Sequence, residues 1–369
     1  MKHRAIVCLA GMAMLHAAGG ALAAAAVPGY QLTDLGVVSG YENSFAYGMS
    51  DSGQQVAGWV DNGSTTQAFV WSAGAGMQLL GNAAGATASR GFSVNDQGMV
   101  VGETSFGAQR EATAWTGATP SGLGTLSNAG SSVAFGVNNA GKIIGWSDSS
   151  DGTRAFAWET GSGMSSLGVL PGGTQTHAYN INASGQAVGW GTTPTGDRGF
   201  VASPAMIAIP TLSASGGRTR AYGNSNQNGW VVGDARDPAL GDVAFIWSPG
   251  SGTVSLGLLA GAASSFGADV NSNGVAVGWV AGLPAGDQAY VWSAGAGMLA
   301  LDDLLVSANG WSVQRARAIN DSGMIVGNAI DANGVVHAVM LTPVPEPSTW
   351  ALFGLGVFAL AARRRQARR

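Results

Sequence analysis

Few side chains in this sequence have the type and spacing that catalysis needs. Only two of its four histidines, His177 and His337, lie beyond residue 26, and they are 160 positions apart. No Gly-x-Ser-x-Gly elbow occurs, so the usual signature of a serine hydrolase is missing. The one cysteine is Cys8, and no His-x-x-x-His or cysteine pair is present to hold a metal. The sequence therefore predicts no catalytic residue.

Two short acidic stretches could bind a hard cation through oxygen atoms. Asp148 and Asp151 come just before a glycine, and Asp331 starts the stretch Asp-Ala-Asn-Gly. Calcium prefers such oxygen ligands near a turn, but neither stretch has the later glutamate of an EF-hand loop. The same residues are common in ordinary turns. The sequence leaves a turn and a calcium site as alternatives, and it indicates no other cofactor.

Other acids gather between two motifs, Val-Gly-Trp and Ala-aromatic-x-Trp, which recur along the chain. They are Asp61, Asp197, Asp234, Asp237, Asp242 and Asp287. If the repeated units are equivalent, these acids lie on one face of the molecule. They are either solvated loop charges or a face that binds polysaccharide through bridging cations.

The motifs belong to a repeat of about 44 residues. Its clearest marker is the glycine that closes an Asn-x-x-Gly turn, with Ser50 replacing the asparagine in the first unit. This glycine stands at Gly53, Gly98, Gly141, Gly185, Gly229, Gly274 and Gly323. Seven Ala-aromatic-x-Trp segments, some degraded, and seven Leu-Gly segments accompany it. Self-similarity at this period indicates a propeller or a solenoid.

Each unit contains four apolar runs of four to eight residues, bounded by Gly, Asn, Asp or Ser. Runs of this length and composition predict β-strands, and Asn-x-x-Gly suits a tight hairpin. We therefore expect an all-β fold, a seven-bladed β-propeller of four-stranded repeats. An open solenoid is the alternative. The tryptophans that end the Ala-aromatic-x-Trp segments are expected to pack between blades rather than to bind ligands.

The first Leu-Gly strand, Leu32–Gly36, precedes the first unit, and the last unit lacks one. The N-terminal strand therefore either starts blade one or completes blade seven. In the second case it would latch the ring.

Residues 1–26 have the features of a secretory signal peptide. A basic start is followed by an apolar stretch and then by Ala21-Leu22-Ala23, a small-x-small site for signal peptidase. The apolar stretch is shorter than the roughly 20 residues that span a bilayer. Cys8 lies inside this segment, so the mature chain is expected to contain neither a thiol nor a disulfide.

Residues 344–369 form a separate segment with three elements in order. Pro345, Glu346 and Pro347 come first, an apolar run from Thr349 to Ala362 follows, and the basic tail begins with Arg363, Arg364 and Arg365. As a helix, 14 apolar residues would extend about 21 Å, short of the hydrocarbon core of a bilayer, which is about 30 Å thick. A plain membrane anchor is the alternative interpretation.

The three elements together resemble a C-terminal sorting signal of the PEP-CTERM type. The resemblance implies transient membrane insertion of the hydrophobic helix and recognition of Pro345, Glu346 and Pro347 by an exosortase-like membrane protease. It also implies removal of the tail and delivery to the cell surface or extracellular matrix of a Gram-negative bacterium that makes exopolysaccharide.

The repeats resemble the HAF extracellular repeat family, whose units carry His-Ala-Phe. Only His337 keeps that histidine, since Gln67, Arg154, Val243 and Gln288 stand at the equivalent position. The family has no established activity, so the resemblance adds no catalytic residue.

Charge narrows the choice of partner for the expected propeller, residues 27–343. This range holds ten basic and twenty acidic residues, which gives a formal charge of −10. An acidic protein of this kind is not expected to bind nucleic acid. The sequence thus predicts a secreted, non-catalytic structural or binding protein of the extracellular polysaccharide matrix. The alternative is a polysaccharide-degrading propeller enzyme, which would need two carboxylates converging near the ring axis.

Overall fold

The computed structural model describes residues 27–128, 130–214 and 216–345. They form seven four-stranded antiparallel sheets, and one short 3-10 helix, Asp302–Leu304, is the helical element of this part of the chain. The predicted seven-bladed all-β propeller is confirmed. The predicted signal peptide, with Ala21 and Ala23, lies outside the described residues.

Blades one to six each use four consecutive strands, numbered here from the ring axis outward. Blade one contains β2 (Asn43–Met49), β3 (Gln55–Asp61), β4 (Thr66–Ser72) and β5 (Gly76–Leu79). Blade two contains β6 (Ala88–Val94), β7 (Met99–Phe106), β8 (Gln109–Thr116) and β9 (Thr119–Gly122). Blade three contains β10 (Ser132–Val137), β11 (Ile143–Ser149), β12 (Gly152–Glu159) and β13 (Gly163–Ser166).

The second half of the ring repeats this order. Blade four contains β14 (Thr176–Ile181), β15 (Ala187–Gly191), β16 (Arg198–Ser203) and β17 (Ala205–Ala208). Blade five contains β18 (Thr219–Asn224), β19 (Val231–Asp237), β20 (Gly241–Ser248) and β21 (Gly252–Gly257). Blade six contains β22 (Ser264–Val270), β23 (Ala276–Leu283), β24 (Gly286–Ser293) and β25 (Gly297–Ala300).

Blade seven is built from both ends of the described chain. Its inner three strands are β26 (Ser312–Ile319), β27 (Ile325–Ile330) and β28 (Val336–Val344), and its outer strand is β1 (Gly29–Asp34). β1 pairs antiparallel with β28 from Gly29 opposite Val344 to Asp34 opposite Val339. The N-terminal strand therefore completes blade seven and closes the ring, so that blade seven has four strands like the other blades and its third strand is not an unpaired edge.

The antiparallel order gives the ring two different faces. The loop face carries the connections between blades and the loops between each second and third strand. The turn face carries the Asn-x-x-Gly turns and the turns between third and outer strands. Every inner strand therefore runs from the loop face to the turn face.

Hydrophobic side chains fill the space between neighbouring blades. In one such cluster, Ile144 and Ala155 of blade three pack with Ala178 and Phe200 of blade four, all fully buried. The predicted packing role of the third-strand tryptophans is confirmed, because Trp115 is fully buried and the others pack against these clusters. The others are Trp71, Trp158, Trp247 and Trp292.

Gly145, four residues after the turn glycine Gly141, lies in the second strand of blade three, where the neighbouring strand passes too closely for a side chain. A Cβ on Gly145 would collide with the carbonyl oxygen of Val133 in the inner strand and lie 2.9 Å from the Phe156 ring. The turn glycine Gly141 has a different role, since its φ of +77° is the left-handed conformation that glycine adopts without strain.

A buried hydroxyl at the start of six of the inner strands ties neighbouring blades together. Thr176 accepts a hydrogen bond from the main-chain N–H of Ala155 in blade three (3.0 Å) and donates one to the carbonyl of Gly168 (2.7 Å). We call this contact the hydroxyl latch. The six hydroxyls belong to Ser44, Ser89, Ser132, Thr176, Thr219 and Ser265. In blade seven Ser312 instead donates to Asp302 Oδ2 (2.9 Å).

The turn asparagines join the blades at the other face. The Asn138 Oδ1 accepts from the N–H groups of Ala140 and Lys142 within its own turn, as expected for an asparagine that starts a turn. Its Nδ2 donates to the carbonyl of Asn182 in the next blade (3.2 Å). Asn95, Asn182 and Asn271 make the same bond to the following turn.

Candidate ligand-binding channel

Seven β-bulges aim one residue from each inner strand at the ring axis. The pairing between inner and second strand slips by one residue at the same place in every blade, for example between Ala134 and Gly136. A bulge leaves its extra residue unpaired and re-aims its side chain. The extra residues are Tyr47, Phe92, Phe135, Tyr179, Tyr222, Ala268 and Arg317.

Five of these residues form a continuous aromatic belt around the axis. Ring centroids are 5.0 Å apart for Tyr47 and Phe92, 4.9 Å for Phe92 and Phe135, 4.9 Å for Phe135 and Tyr179, and 5.2 Å for Tyr179 and Tyr222. These separations lie within the range of favourable aromatic pairs. Blades six and seven break the belt.

A cavity of about 380 Å³ follows the axis, and all seven blades line it. Its wall combines the aromatic belt with polar groups, among them Asn180, Arg220, Asp269 and Arg317. Apolar rings with a few convergent polar groups are the usual composition of a small-molecule site, and this volume lies within the usual range. We call it the axial cavity.

On the loop-face side of the belt, tryptophans of the second strands form cation–π contacts with arginines of the next blade. Arg220 lies 4.6 Å from the ring centroid of Trp190, and Arg315 lies 5.2 Å from that of Trp279. His177 stacks on Trp190 at 4.6 Å. Burial, together with the charge of Arg220, lowers the pKa of His177, so its imidazole is neutral at pH 7.

Carboxylates at the loop face form ion pairs with most of the arginines at that face. Arg90 Nη1 lies 3.0 Å from Glu103 Oε1, and Arg315 Nη2 lies 2.5 Å from Asp287 Oδ2. Such charge-assisted bonds fix a guanidinium in one orientation. The loop-face opening of the axial cavity is therefore lined by ordered side chains of both charges.

A hydrogen-bonded web lies at the turn-face end of the channel. Asp51 accepts from Asn139 Nδ2 (3.1 Å) and from Asn226 Nδ2 (3.0 Å), which joins blades one, three and five. Asn139 also donates to Asp96 (2.7 Å), and Asp321 accepts from Ser272 (2.9 Å). This end of the channel is therefore lined by carboxylates.

Asp269 is the one acid within the seven inner strands. Its Oδ2 accepts from the N–H of Ile319 (3.0 Å), and its Oδ1 lies 3.4 Å from Asn180 Nδ2. Burial raises the pKa of Asp269 to about 7, with the backbone N–H groups opposing the shift and the nearby Asp51 and Asp321 adding to it. Its carboxyl group therefore changes charge near neutral pH.

The three candidate calcium ligands lie at the loop face, Asp148 near the end of β11 and Asp151 and Asp331 in turns, and the three are not brought together. Asp331 Oδ1 accepts from the N–H groups of Asn333 and Val335, and the bond from Val335 lowers its pKa. Asp148 accepts from the N–H of Ser131 (2.9 Å). The described residues contain no group of three His, Cys, Asp or Glu side chains placed to hold a metal. Calcium binding by Asp148, Asp151 or Asp331 stays a prediction.

The loop acids divide into two groups. Asp61, Asp197, Asp237, Asp242 and Asp287 lie at the loop face, as the repeat indicated. Asp234 differs, because it lies within β19, is buried and pairs with Arg218 at 3.0 Å. Burial raises its pKa although Arg218 opposes the shift.

The aromatic belt and Arg317 were not predicted as functional residues from the sequence. The signal of the belt was nevertheless present, since an aromatic residue stands three positions before the turn asparagine or serine in four units and four positions before it in a fifth. The latch hydroxyls show a similar regularity, with Ser or Thr three positions before the bulge residue in six of the seven units.

At the C-terminal end, β28 stops at Val344, and Pro345 follows as an exposed residue. Residues 343–365 match the sequence model of the PEP-CTERM protein-sorting motif. The chain carries an exosortase sorting signal. It is therefore a secreted protein that is processed by sorting machinery of the cell envelope. Glu346, Pro347, Arg363, Arg364 and Arg365 lie outside the described residues.

Within the described residues, no helix has the length and apolar character needed to cross a membrane. The predicted hydrophobic helix from Thr349 to Ala362 lies beyond them.

Solved structures with similar architecture are distant in sequence. Oligogalacturonate lyase from Vibrio parahaemolyticus aligns with a TM-score of 0.53 at 11% identity, over 87% of this chain and 98% of that one. Virginiamycin B lyase from Staphylococcus aureus aligns with a TM-score of 0.51 at 12% identity, over 85% of this chain and 100% of that one. At these identities the likeness shows the fold alone. No curated protein sequence matches the chain.

Proposed function

We propose that this protein is sorted to the surface or matrix of a Gram-negative bacterium, where its propeller binds extracellular polysaccharide without cleaving it. The axial cavity is the observation that supports binding. Sugars have apolar C–H faces that pack on aromatic rings and hydroxyls that need hydrogen-bonding partners. The aromatic belt and the polar groups beside it supply both in one rigid cavity.

The cavity is pre-formed, which favours binding. The belt residues come from bulges in paired strands rather than from free loops, and the latches hold those strands at fixed distances. A site whose side chains are already ordered loses little conformational entropy when a ligand binds.

The direct test mixes the chain from Val27 to Pro345, which contains every strand of the ring, with polysaccharide from the producing organism. Co-sedimentation and new reducing ends are measured in the same tubes, with and without a chelator. We expect co-sedimentation without new reducing ends. Loss of binding on chelation would indicate that the acidic loops bind the polysaccharide through cations. A lack of co-sedimentation would refute the proposal.

A pair of variants tests whether the cavity is the site. Phe135→Ala removes a ring from the middle of the belt and should weaken binding about tenfold or more, the effect of truncating an anchor residue. Ile207→Ala removes a side chain that is 63% exposed on the outer strand of blade four and should have no effect. Equal binding by both variants would place the site elsewhere.

One observation favours a second function, cleavage of the polysaccharide. Asp269 is a carboxyl group at the axis with a pKa of about 7, suited to a general acid at neutral pH, and Asp51 and Asp321 lie near it. New reducing ends that disappear in Asp269→Asn would support this function. Cleavage that persists in that variant would refute this role for Asp269.

A further inference from the structure

The arginines of the propeller are distributed unevenly along the ring axis. Residues 27–343 contain nine arginines and one lysine. Eight arginines lie at the loop-face end of their blades, Arg317 lies at the level of the belt, and Lys142 alone lies at the turn face. The inner strands carry four arginines and a single acid. The inner strands therefore carry a net positive charge within a propeller whose formal charge is −10, and Asp51 and Asp321 lie at the turn-face end of the axial cavity.

Eight of the nine arginines have hydrogen-bonding partners within the protein. Six lie within 4 Å of a carboxylate, as Arg90 does with Glu103. Arg154 and Arg198 donate to main-chain carbonyls. Arg317 is different, because no described residue forms a hydrogen bond or an ion pair with it, and its Nε is buried without a partner.

Two aromatic rings hold the Arg317 guanidinium in the wall of the cavity. Its Cζ lies 5.3 Å from the ring centroid of Tyr47 and 4.9 Å from that of Trp279. Burial lowers its pKa, and the charge of Arg315 lowers it further. The group stays protonated at pH 7 because an arginine starts so far above neutrality. A largely desolvated cation without an ion-pair partner is costly, and an anion that forms hydrogen bonds with it removes part of that cost.

We infer that Arg317 makes the axial cavity a site for a carboxylate-bearing sugar, so that the polysaccharide bound is a polyuronate rather than a neutral glycan. This inference rests on the proposed function. A guanidinium matches a carboxylate in a two-point contact, and the belt packs the sugar ring beside it. The acids at the turn face repel the sugar carboxylate, so it faces Arg317.

The test compares two ligands that differ only at C6. Binding of β-1,4-linked triglucuronate and of cellotriose to the Val27–Pro345 chain is measured by calorimetry. We expect at least tenfold tighter binding of triglucuronate, and we expect Arg317→Gln to lose that preference while it retains its affinity for cellotriose. Arg236→Gln is the matched control, because its side chain is 60% exposed at the rim, and it should retain the preference.

The outcomes separate the two proposals. Equal wild-type affinity for both trisaccharides, or a preference that survives Arg317→Gln, overturns the carboxylate site and leaves glycan binding intact. Failure of both trisaccharides to bind at millimolar concentration overturns the carboxylate site, and only a lack of co-sedimentation with the organism's polysaccharide overturns glycan binding as well. Arg317→Lys adds a check on geometry, since a point charge without the planar fork should restore only part of the preference.

Discussion

Asp269 is a buried acid at a position where the other six repeats have no acid. Other units place Gly48, Ser93, Gly136, Asn180, Gly223 or Ala318 at its position after the bulge. Only blade six places a carboxyl group there, inside the cavity, where burial raises its pKa to about 7. Because the folded state binds this proton more tightly than the unfolded state does, the group makes stability depend on pH.

The sign of that dependence follows from the direction of the shift. Below about pH 4 the carboxyl is protonated in both states and adds no pH-dependent contribution. Between about pH 4 and pH 7 only the folded state keeps the proton, so the contribution of Asp269 to the free energy of unfolding falls as pH rises. We expect wild-type stability to decline from pH 5 to pH 8 and Asp269→Asn to reduce that decline, as measured by urea unfolding.

Asp303→Asn is the control for this prediction, because Asp303 is exposed in the short 3-10 helix that follows β25. It should retain the wild-type pH dependence. An Asp269→Asn variant with the full wild-type decline would show that another group causes it.

At the scale of the strand, the hydroxyl latch explains why the blades keep a fixed spacing. Each latch hydroxyl satisfies a main-chain N–H that has no partner in its own sheet. A buried N–H or carbonyl left unpaired costs about 1–3 kcal/mol. The latch is therefore a specific tie between blades that otherwise meet through hydrophobic packing.

Thr176→Val tests the latch, since it removes the hydroxyl and nearly preserves the shape of the side chain. We expect the free energy of unfolding to fall by about 1–3 kcal/mol, because Ala155 N–H and Gly168 C=O both lose a partner. Thr160→Val, at an exposed turn position, should change it by less than about 0.5 kcal/mol. Equal effects of the two substitutions in urea unfolding would contradict the latch.

The sequence predicted the strands and turns because their signals are local. Asn138 and Gly141 indicate a hairpin independently of the rest of the fold, and the Ala-aromatic-x-Trp segment that contains Phe156 indicates a buried strand. Phe135 and Arg317 were not assigned to the channel, since a bulge is a slip between two strands and one strand alone does not show it. Asp234 was grouped with the loop acids because sequence spacing does not show that it lies within a strand beside Arg218.

For the whole molecule, closure depends on β1. Tyr30 is 1% exposed and packs in the core of blades six and seven. Its hydroxyl is buried as well, which raises its pKa to about 12. The outer strand of blade seven therefore adds a large buried side chain in addition to its ladder of hydrogen bonds.

Tyr30→Ala should lower the free energy of unfolding by about 3–5 kcal/mol, the usual cost of removing a buried aromatic side chain. Gln31→Ala changes the next residue of the same strand, which is exposed, and should have little effect. Thermal and urea unfolding of both variants provide the measurement. A stable Tyr30→Ala protein would mean that β1 is dispensable for closure.

Both ends of the ring lie at the turn face, since Gly29 pairs with Val344 there. A protein held at the surface through its C-terminal segment should thus present its loop face outward. The mature chain is expected to lack cysteine, so Ser64→Cys at the loop face and Ala75→Cys at the turn face can be labelled with a bulky maleimide. We expect Ser64→Cys to react several-fold faster on cells, although both react equally in purified protein. Equal rates on cells would contradict this orientation.

The absence of a linker between β28 and the sorting motif has a mechanical consequence. β28 ends at Val344, one residue before Pro345, and it pairs with β27 on one side and with β1 on the other, across six residue pairs each. Tension on the C-terminal segment therefore runs along the strand and loads both ladders in shear. Their hydrogen bonds resist together instead of opening one after another, so the ladder that closes the ring also fastens the protein against pulling.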